Sequence, residues 1–264
     1  MSIISAPAPT PTLKYVFVVP YRNRREHYEF HYKQMTETVL KNIPQEEYKI
    51  LYVHQCDNRL FNRGAMKNIG FLYIKNAFPE TYKHINFIFN DVDIMPREPD
   101  VIDFETQPNK IKHYYGYNYA LGGLVSIKGG DFETIGGFPN FWAWGYEDTL
   151  LNLRAQKAKI EIDRTQFYPV QDTSVILQLS NPTKNKLVSE TEYTRARYTQ
   201  EGYQHIYNIE MKLDETNGFL NVYDFKTNFS PDKIRTHEFN PDYNQPFTTI
   251  TAPRNARVSM SMTL

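Results

Sequence analysis

The chain has 264 residues, with 30 Lys and Arg against 30 Asp and Glu. That length suits one large α/β domain, and the balance leaves no long-range field for nucleic acid or an anionic membrane surface. A single cysteine, Cys56, excludes an internal disulfide, no run approaches the roughly 18 to 20 apolar residues of a membrane span, and no signal-peptide pattern opens the chain, so a soluble, cytoplasmic protein is expected.

Residues 1–13 are rich in Pro, Ala, Thr and Ser without an apolar period and read as a flexible leader, with the domain over 14–264. Tyr15–Val19 is a short β-branched apolar run, the mark of a strand buried on both faces. Pro20, Tyr21, Arg22, Asn23 and Arg24 follow at once. Ligands of open α/β sheets bind outside the carboxyl ends of strands, so Arg22 and Arg24 stand where a phosphate or base would be held, unless they are an ordinary basic helix start. A helix is predicted from Arg25 to Leu40, with Tyr28, Tyr32, Met35 and Val39 at helical spacing.

Tyr48–His54 is the second strand, and the helix carrying Met66, Ile69, Tyr73 and Ala77 follows it. Asn62 is placed to cap that helix and Gly64 to admit a close neighbour. Strand Ile85–Asn90 then delivers Asp91 and Asp93. Residues two apart on an extended chain face one way, so the two carboxylates should point together while Val92 turns aside. A hard divalent cation gives such a pair a purpose, and a solvated turn is the plain alternative. The order β, α, β, α, β argues for a mixed, mostly parallel sheet with helices on both faces.

Beyond Pro96 come the aromatic run Tyr114 to Tyr119, the pair Gly122 and Gly123 opening a strand Leu124–Ile127, and the pair Gly136 and Gly137 before Phe138, Pro139 and Asn140. Phe141, Trp142, Ala143, Trp144, Gly145, Tyr146, Glu147 and Asp148 place both tryptophans beside two acids, a mix read as the wall and tip of a sugar cleft. A helix from Thr149 to Ala155 anchors them. Past Asp163 the pattern weakens: residues 180–205 read as surface loop and helix, Phe219–Phe225 as one more strand, and the last twenty or so residues as loosely ordered. The seven histidines show no metal-ligand spacing.

Four of these segments, in order, resemble the β-1,4-galactosyltransferase family of metal-dependent, inverting enzymes. They are Pro20 to Arg24; Phe61 to Arg63 with Asn68 to Phe71; Phe89 to Ile94 with Pro96; and Gly136 to Asn140 leading into Trp142 to Asp148. The resemblance covers roughly residues 16–154. It implies a single GT-A (Rossmann-like) α/β domain, with a nucleotide-sugar half over 14–110 and an acceptor half over 111–264. It implies a UDP-sugar donor, UDP-galactose or UDP-N-acetylgalactosamine, a glycan acceptor, and Mn²⁺ or Mg²⁺. Carried over by position, Pro20, Tyr21, Arg22 and Arg24 contact uridine and diphosphate, with Phe61 and Arg63 on the nucleotide from the next loop. Asp91 and Asp93 hold the metal, Asp93 directly. Val92, Lys110, Ala120, Gly123 and Trp144 line the donor, Glu147 binds acceptor, and Asp148 is the general base.

Three departures matter. Where the family has a third metal ligand, a histidine, this chain reads Val175 to Ser180, leaving Gln178, His205 or water to complete the site. Ala120 stands where galactose-selective members have a tyrosine, which leaves room for an N-acetyl group. The anchor and disulfides of Golgi members are missing, as expected of a cytosolic, microbial or viral relative. Two other readings compete: a catalytically silent sugar-binding relative with a degraded metal site, and a nucleotidyltransferase or phosphatase, in which the Trp, Glu147 and Asp148 cluster would have no role.

Overall fold

A computed structural model describes residues 13–179 and 186–239. The expected leader, but for residue 13, and the expected loose C-terminal end lie outside the described residues. The first half runs β1 (Tyr15–Tyr21), α1 (Arg25–Gln34), β2 (Tyr48–Gln55), α2 (Arg63–Ala77), β3 (Asn86–Asn90), β4 (Ile94–Pro96) and β5 (Lys110–Gly116). It continues with β6 (Leu124–Lys128), α3 (Gly129–Thr134), α4 (Glu147–Lys157), β7 (Glu161–Asp163), β8 (Tyr168–Pro169) and β9 (Ile176–Gln178). The C-terminal part holds β10 (Lys186–Val188), α5 (Glu190–Tyr198), β11 (Ile206–Asp214), β12 (Phe219–Thr227) and β13 (His237–Phe239).

Nine strands form one sheet in the order β11, β12, β2, β1, β3, β6, β5, β7, with β8 also paired to β5. Strands β12, β2, β1 and β3 are parallel neighbours, and β6 runs antiparallel between β3 and β5. The carboxyl ends of β1, β2, β3 and β5 therefore share one edge, which is where such sheets bind ligands. Alternation along β1 explains the two-sided burial. Val16 and Val18 join the core under α2 with Ala65, Met66 and Ile69, and Phe17 and Val19 join the opposite core with Met35 and Val39.

Three local expectations are corrected. The helix from Arg25 ends at Gln34 and passes into a wide π turn, Met35–Val39, which buries Met35 and Val39. The helix expected from Thr149 is α4 and starts at Glu147, so both acids stand in its first turn. The region from 186 onward is not merely surface: Ser189, Glu192 and Glu201 are buried, and β11 pairs antiparallel with β12 at the sheet edge. The alternating Ile209, Met211 and Leu213 packed on the core, followed by the Asn217-Gly218 turn with Gly218 at φ +68°, are the signals of that hairpin.

Candidate active site

Asn62 caps α2 as its spacing predicts, its side-chain oxygen accepting from the Ala65 amide at 2.9 Å. A Cβ on Gly64 would lie 2.0 Å from the Pro139 carbonyl oxygen, so the close neighbour there is this chain's own loop. Asn68 completes that contact, donating to the Phe138 carbonyl at 2.7 Å and accepting from its amide at 3.0 Å. Helix α2 is thereby fixed against the segment that leads to Glu147 and Asp148. It presents Arg63 and Lys67, one turn apart on the same face, to the acids of two other elements.

The result is a chain of alternating charge. Arg63 Nη2 meets Asp91 Oδ1 at 2.5 Å, and its Nη1 lies 3.3 Å from Glu147 Oε1. Lys67 Nζ lies 3.6 Å from the same Glu147 oxygen and 2.7 Å from Asp148 Oδ1. Glu147 is buried, and its Oε1 has ion-pair neighbours but accepts no hydrogen bond among the described residues.

Gly122 and Gly123 join the acids at the other end. Gly123, at φ +73°, accepts the Asp91 amide on its carbonyl at 3.0 Å, and Leu121 donates its amide to the Asp148 carbonyl at 3.0 Å. The Cα of Gly122 faces the Asp148 carboxylate, where a Cβ would come within 2.3 Å of Oδ2. The two glycines thus form the seam between the acid turn and the start of α4.

Asp91 and Asp93 do come together, by a different device from the one expected. Strand β3 ends at Asn90, and the Ile94 amide donates to the Asp91 carbonyl at 3.0 Å, closing a turn over 91–94. It is this turn, not strand alternation, that juxtaposes the carboxylates. Burial and the Asp91 charge raise the Asp93 carboxyl above its ordinary value. Burial also acts against Asp91, but the Arg63 and Lys67 charges outweigh it and hold that carboxyl low. At the other end of the charge chain, burial and the Glu147 charge push Asp148 up to about 6, against the pull of Lys67 and Arg63.

Two consecutive family models match the chain: the N-terminal region of glycosyl transferase group 7 over residues 5–103, and the N-terminal domain of galactosyltransferase over residues 103–176. The chain belongs to the β-1,4-galactosyltransferase family. Human β-1,4-galactosyltransferase 4 is 30% identical over 159 residues, 56% of this chain and 44% of that protein. Human β-1,4-galactosyltransferase 1 is 31% identical over 144 residues, 51% of this chain and 35% of that protein. The chain thus spans less than half the length of these curated relatives. The catalytic domain of Drosophila β-1,4-galactosyltransferase 7, solved with xylobiose, superposes with a TM-score of 0.63 at 21% identity, covering 84% of this chain and 97% of that one. A mutant of the same Drosophila enzyme, solved with manganese, UDP-Gal and xylobiose, superposes equally well at 20% identity. The fold is therefore GT-A.

Against this family pattern, the residues expected at the donor are placed differently. Arg24 lies close enough to Asp91 and Asp93 to favour their ionised forms, and Trp144 is half-buried with its amide donating to the Leu187 carbonyl at 2.7 Å. Tyr21 is buried at the end of β1 beside Pro20, its ring edge-on to His54 and Phe219, and Phe61 is half-buried against the core. Arg22 instead holds the next loop, donating to the carbonyls of Arg59 at 2.5 Å and Asp57 at 2.9 Å. Ala120 is 6% exposed, one residue before Leu121 and the seam.

Three expectations are corrected. Lys110 opens β5 at the opposite edge of the sheet, paired to Glu161 at 2.9 Å, because β5 runs parallel to β3 and only its far end reaches the site. The Val92 side chain packs in the core with Ile94 and Tyr115. Trp142, at 0% exposure, is no cleft wall: it stacks on Phe225 at 5.2 Å under the Arg59 guanidinium, and its indole N–H donates to Thr227 Oγ1 and the Phe229 carbonyl.

Of the two residues that could replace the missing histidine, Gln178 lies at the site. Strand β9 pairs with β4 with Gln178 opposite Ile94, and the Leu179 amide donates to the Asp93 carbonyl at 2.8 Å. The Gln178 side-chain oxygen accepts from the Tyr115 hydroxyl at 2.6 Å. His205 instead accepts from the Gly202 amide at 3.2 Å, in the turn before β11. Among the described residues no group of three or more His, Cys, Asp and Glu stands together. The donor set that remains, two carboxylates and a nearby amide oxygen, is all oxygen and fits a hard divalent cation completed by phosphate and water.

Lys67 and Lys186 escaped the sequence reading. Lys67 stands four residues after Arg63 on α2, which was its one available signal. Lys186 had none, since it reaches Asp93, Arg24 and Arg63 only through the folding of β10; burial and those two arginines lower it to about 8.

Proposed function

We propose that this protein transfers galactose from UDP-galactose to a hydroxyl of a sugar acceptor, inverting the anomeric centre. The observation that carries the reading is Arg63, whose guanidinium spans Asp91 and Glu147 at 2.5 and 3.3 Å and so sets a donor acid and an acceptor acid side by side. Such a pairing suits a reaction in which a diphosphate leaves from one side of a sugar carbon while a hydroxyl attacks from the other.

Each residue then has a task. Asp93 and Asp91, with the Gln178 amide nearby, hold the divalent cation, which when bound supplies Lewis-acid stabilisation of the departing diphosphate. Arg24 and Lys186 add positive charge beside the same turn. Glu147 Oε1 accepts a hydrogen bond from the acceptor sugar and orients it. Asp148 takes the proton of the attacking hydroxyl, which a carboxylate poised near 6 does well at neutral pH. The new bond forms between that oxygen and the anomeric carbon as the bond to the β-phosphate oxygen breaks. The products are a β-galactoside and UDP, with the proton on Asp148.

The small side chain at Ala120 supports acceptance of UDP-N-acetylgalactosamine as well, since the wall beside the seam lacks a bulky group there. The test is UDP release from UDP-galactose and UDP-N-acetylgalactosamine with Mn²⁺, with and without a panel of simple sugars that includes xylobiose. Asp148→Asn should abolish acceptor-stimulated release and leave UDP-galactose binding intact. No metal-dependent release from either donor, with UDP binding retained, would establish the silent sugar-binding relative instead.

A further inference from the structure

We propose that Lys67 is a positioning residue for the transfer reaction: its buried ammonium clamps the Asp148 carboxylate in its ionised form and fixes its orientation, a role that rests on reading Asp148 as the base. Lys67 is 1% exposed, and the neighbours on its own helix are Ala65, Met66 and Ile69 of the core. A buried ammonium is disfavoured unless paired, and Met would fill the same length of space without that penalty. The pair is therefore not explained by stability, to which buried ion pairs contribute little net. It is explained by where the ammonium points. Nζ donates to Asp148 Oδ1 at 2.7 Å, lies 3.6 Å from Glu147 Oε1, and sits 4.4 Å from the centre of the Phe138 ring, whose face favours a cation.

Asp148 is faced by charge from three elements. Lys67 and Arg63 come from α2, Glu147 from its own helix α4, and Asp91 from the end of β3, while the backbone of Leu121 and Gly122 closes the remaining side. Arg63 is already shared between Asp91 and Glu147. Without Lys67, Asp148 would stand buried beside the Glu147 charge with no cation of its own, and its carboxyl would hold its proton to still higher pH. Asp148 would then carry the proton it has to accept. One lysine on the helix that begins at the donor-side Arg63 thus keeps the acceptor-side base ready.

The test uses the full chain with Lys67→Met, Asp148→Asn and both together. The first readout needs no activity. Because the folded Asp148 carboxyl titrates near 6, above the ordinary carboxylate value, the folded state binds its proton more tightly than the unfolded chain. Stability contributed through Asp148 is therefore present at low pH and lost as pH rises to about 6. The difference in unfolding free energy with and without Asp148→Asn traces that loss. In the Lys67→Met background its upper end should move up by at least about one pH unit, which corresponds to a tenfold change in proton affinity. The second readout is Mn²⁺-dependent UDP release from UDP-galactose, whose acid limb should move up equally, with activity returning at alkaline pH. If neither the stability window nor the acid limb moves, the clamp is refuted. Should Lys67→Met fail to fold while the double variant folds, the clamp is supported, since the fault then lies in the orphaned carboxylate; should neither fold, Lys67 is structural and the proposal falls. If Asp148→Asn alone leaves transfer intact, the base assignment fails, and the stability window still decides whether Lys67 clamps Asp148.

Discussion

Replacing Gly122 by alanine adds one methyl group against the Asp148 carboxylate, the proposed base. Gly122, unlike Gly123 at φ +73°, is not in the left-handed region, so the backbone accepts alanine and any effect is steric. The new Cβ would lie 2.3 Å from Asp148 Oδ2, and ordinary contact begins at 3.4 Å, so the carboxylate must retreat by about 1.1 Å. Oδ1 is held by Lys67 at 2.7 Å, which means the retreat also stretches that bond. A misplacement of about 1 Å at a reacting group lowers rate by roughly 100-fold, and weakening a buried charge-assisted hydrogen bond costs about 2 kcal/mol. The expected outcome for Gly122→Ala is a kcat about 100-fold lower in the UDP-release assay. UDP-galactose affinity should stay within about twofold, because the donor-side acids keep their partners, and the drop in stability should be about 2 kcal/mol. A Gly122→Ala protein with near-wild-type kcat would refute the placement of Asp148 at the reacting hydroxyl.

The kcat profile of the wild type should rise with unit slope below about pH 6 and level above it, because Asp148, pushed up to about 6 by burial and Glu147, must lose its proton to act; a flat profile from pH 5 to 8 would exclude it as the base. Ala120→Tyr should lower the ratio of UDP-N-acetylgalactosamine to UDP-galactose turnover by about tenfold or more, in line with a pocket that discriminates by volume, and equal ratios would remove Ala120 from donor selection. Trp142→Ala should destabilise by about 3 to 5 kcal/mol, the usual cost of emptying a buried aromatic site, as read by denaturant unfolding, while a change in acceptor affinity without loss of stability would return Trp142 to the cleft.

How much of this was legible depended on whether the signal was local. The buried strands at Tyr15–Val19 and Ile85–Asn90 and the cap at Asn62 are written in consecutive residues, and the chain folds as they predict. Asp91, Arg63, Glu147 and Asp148, singled out by motif order alone, are brought together by the fold. What failed required knowing a third dimension. Lys110 looked close to the glycine pair along the chain, but β5 carries it to the opposite edge of the sheet. Trp142 and Trp144 are two residues apart, yet one is sealed against Phe225 and the other bonds its amide to β10, with the positive-φ residue Ala143 between them. That Gln178 and not His205 lies beside Asp93 follows from the pairing of β9 with β4, which no spacing rule contains.

Under the proposed roles, the same geometry couples the donor-side and acceptor-side acids. Arg63 answers Asp91 with one nitrogen and Glu147 with another, while Lys67, one turn along, answers Asp148. Gly123 ties the Asp91 amide as Gly122 walls the Asp148 carboxylate. A shift of the acid turn large enough to suit a different leaving group would draw Arg63 from Glu147, leave that acid with Lys67 alone, and so divide the ammonium between two carboxylates. The base would then take up its proton at a higher pH even though nothing near it had been substituted. Conservative changes at Asp91 or Arg63 should therefore appear in the pH dependence of kcat as well as in donor binding, a coupling that follows from two cations on one helix face serving acids on two other elements.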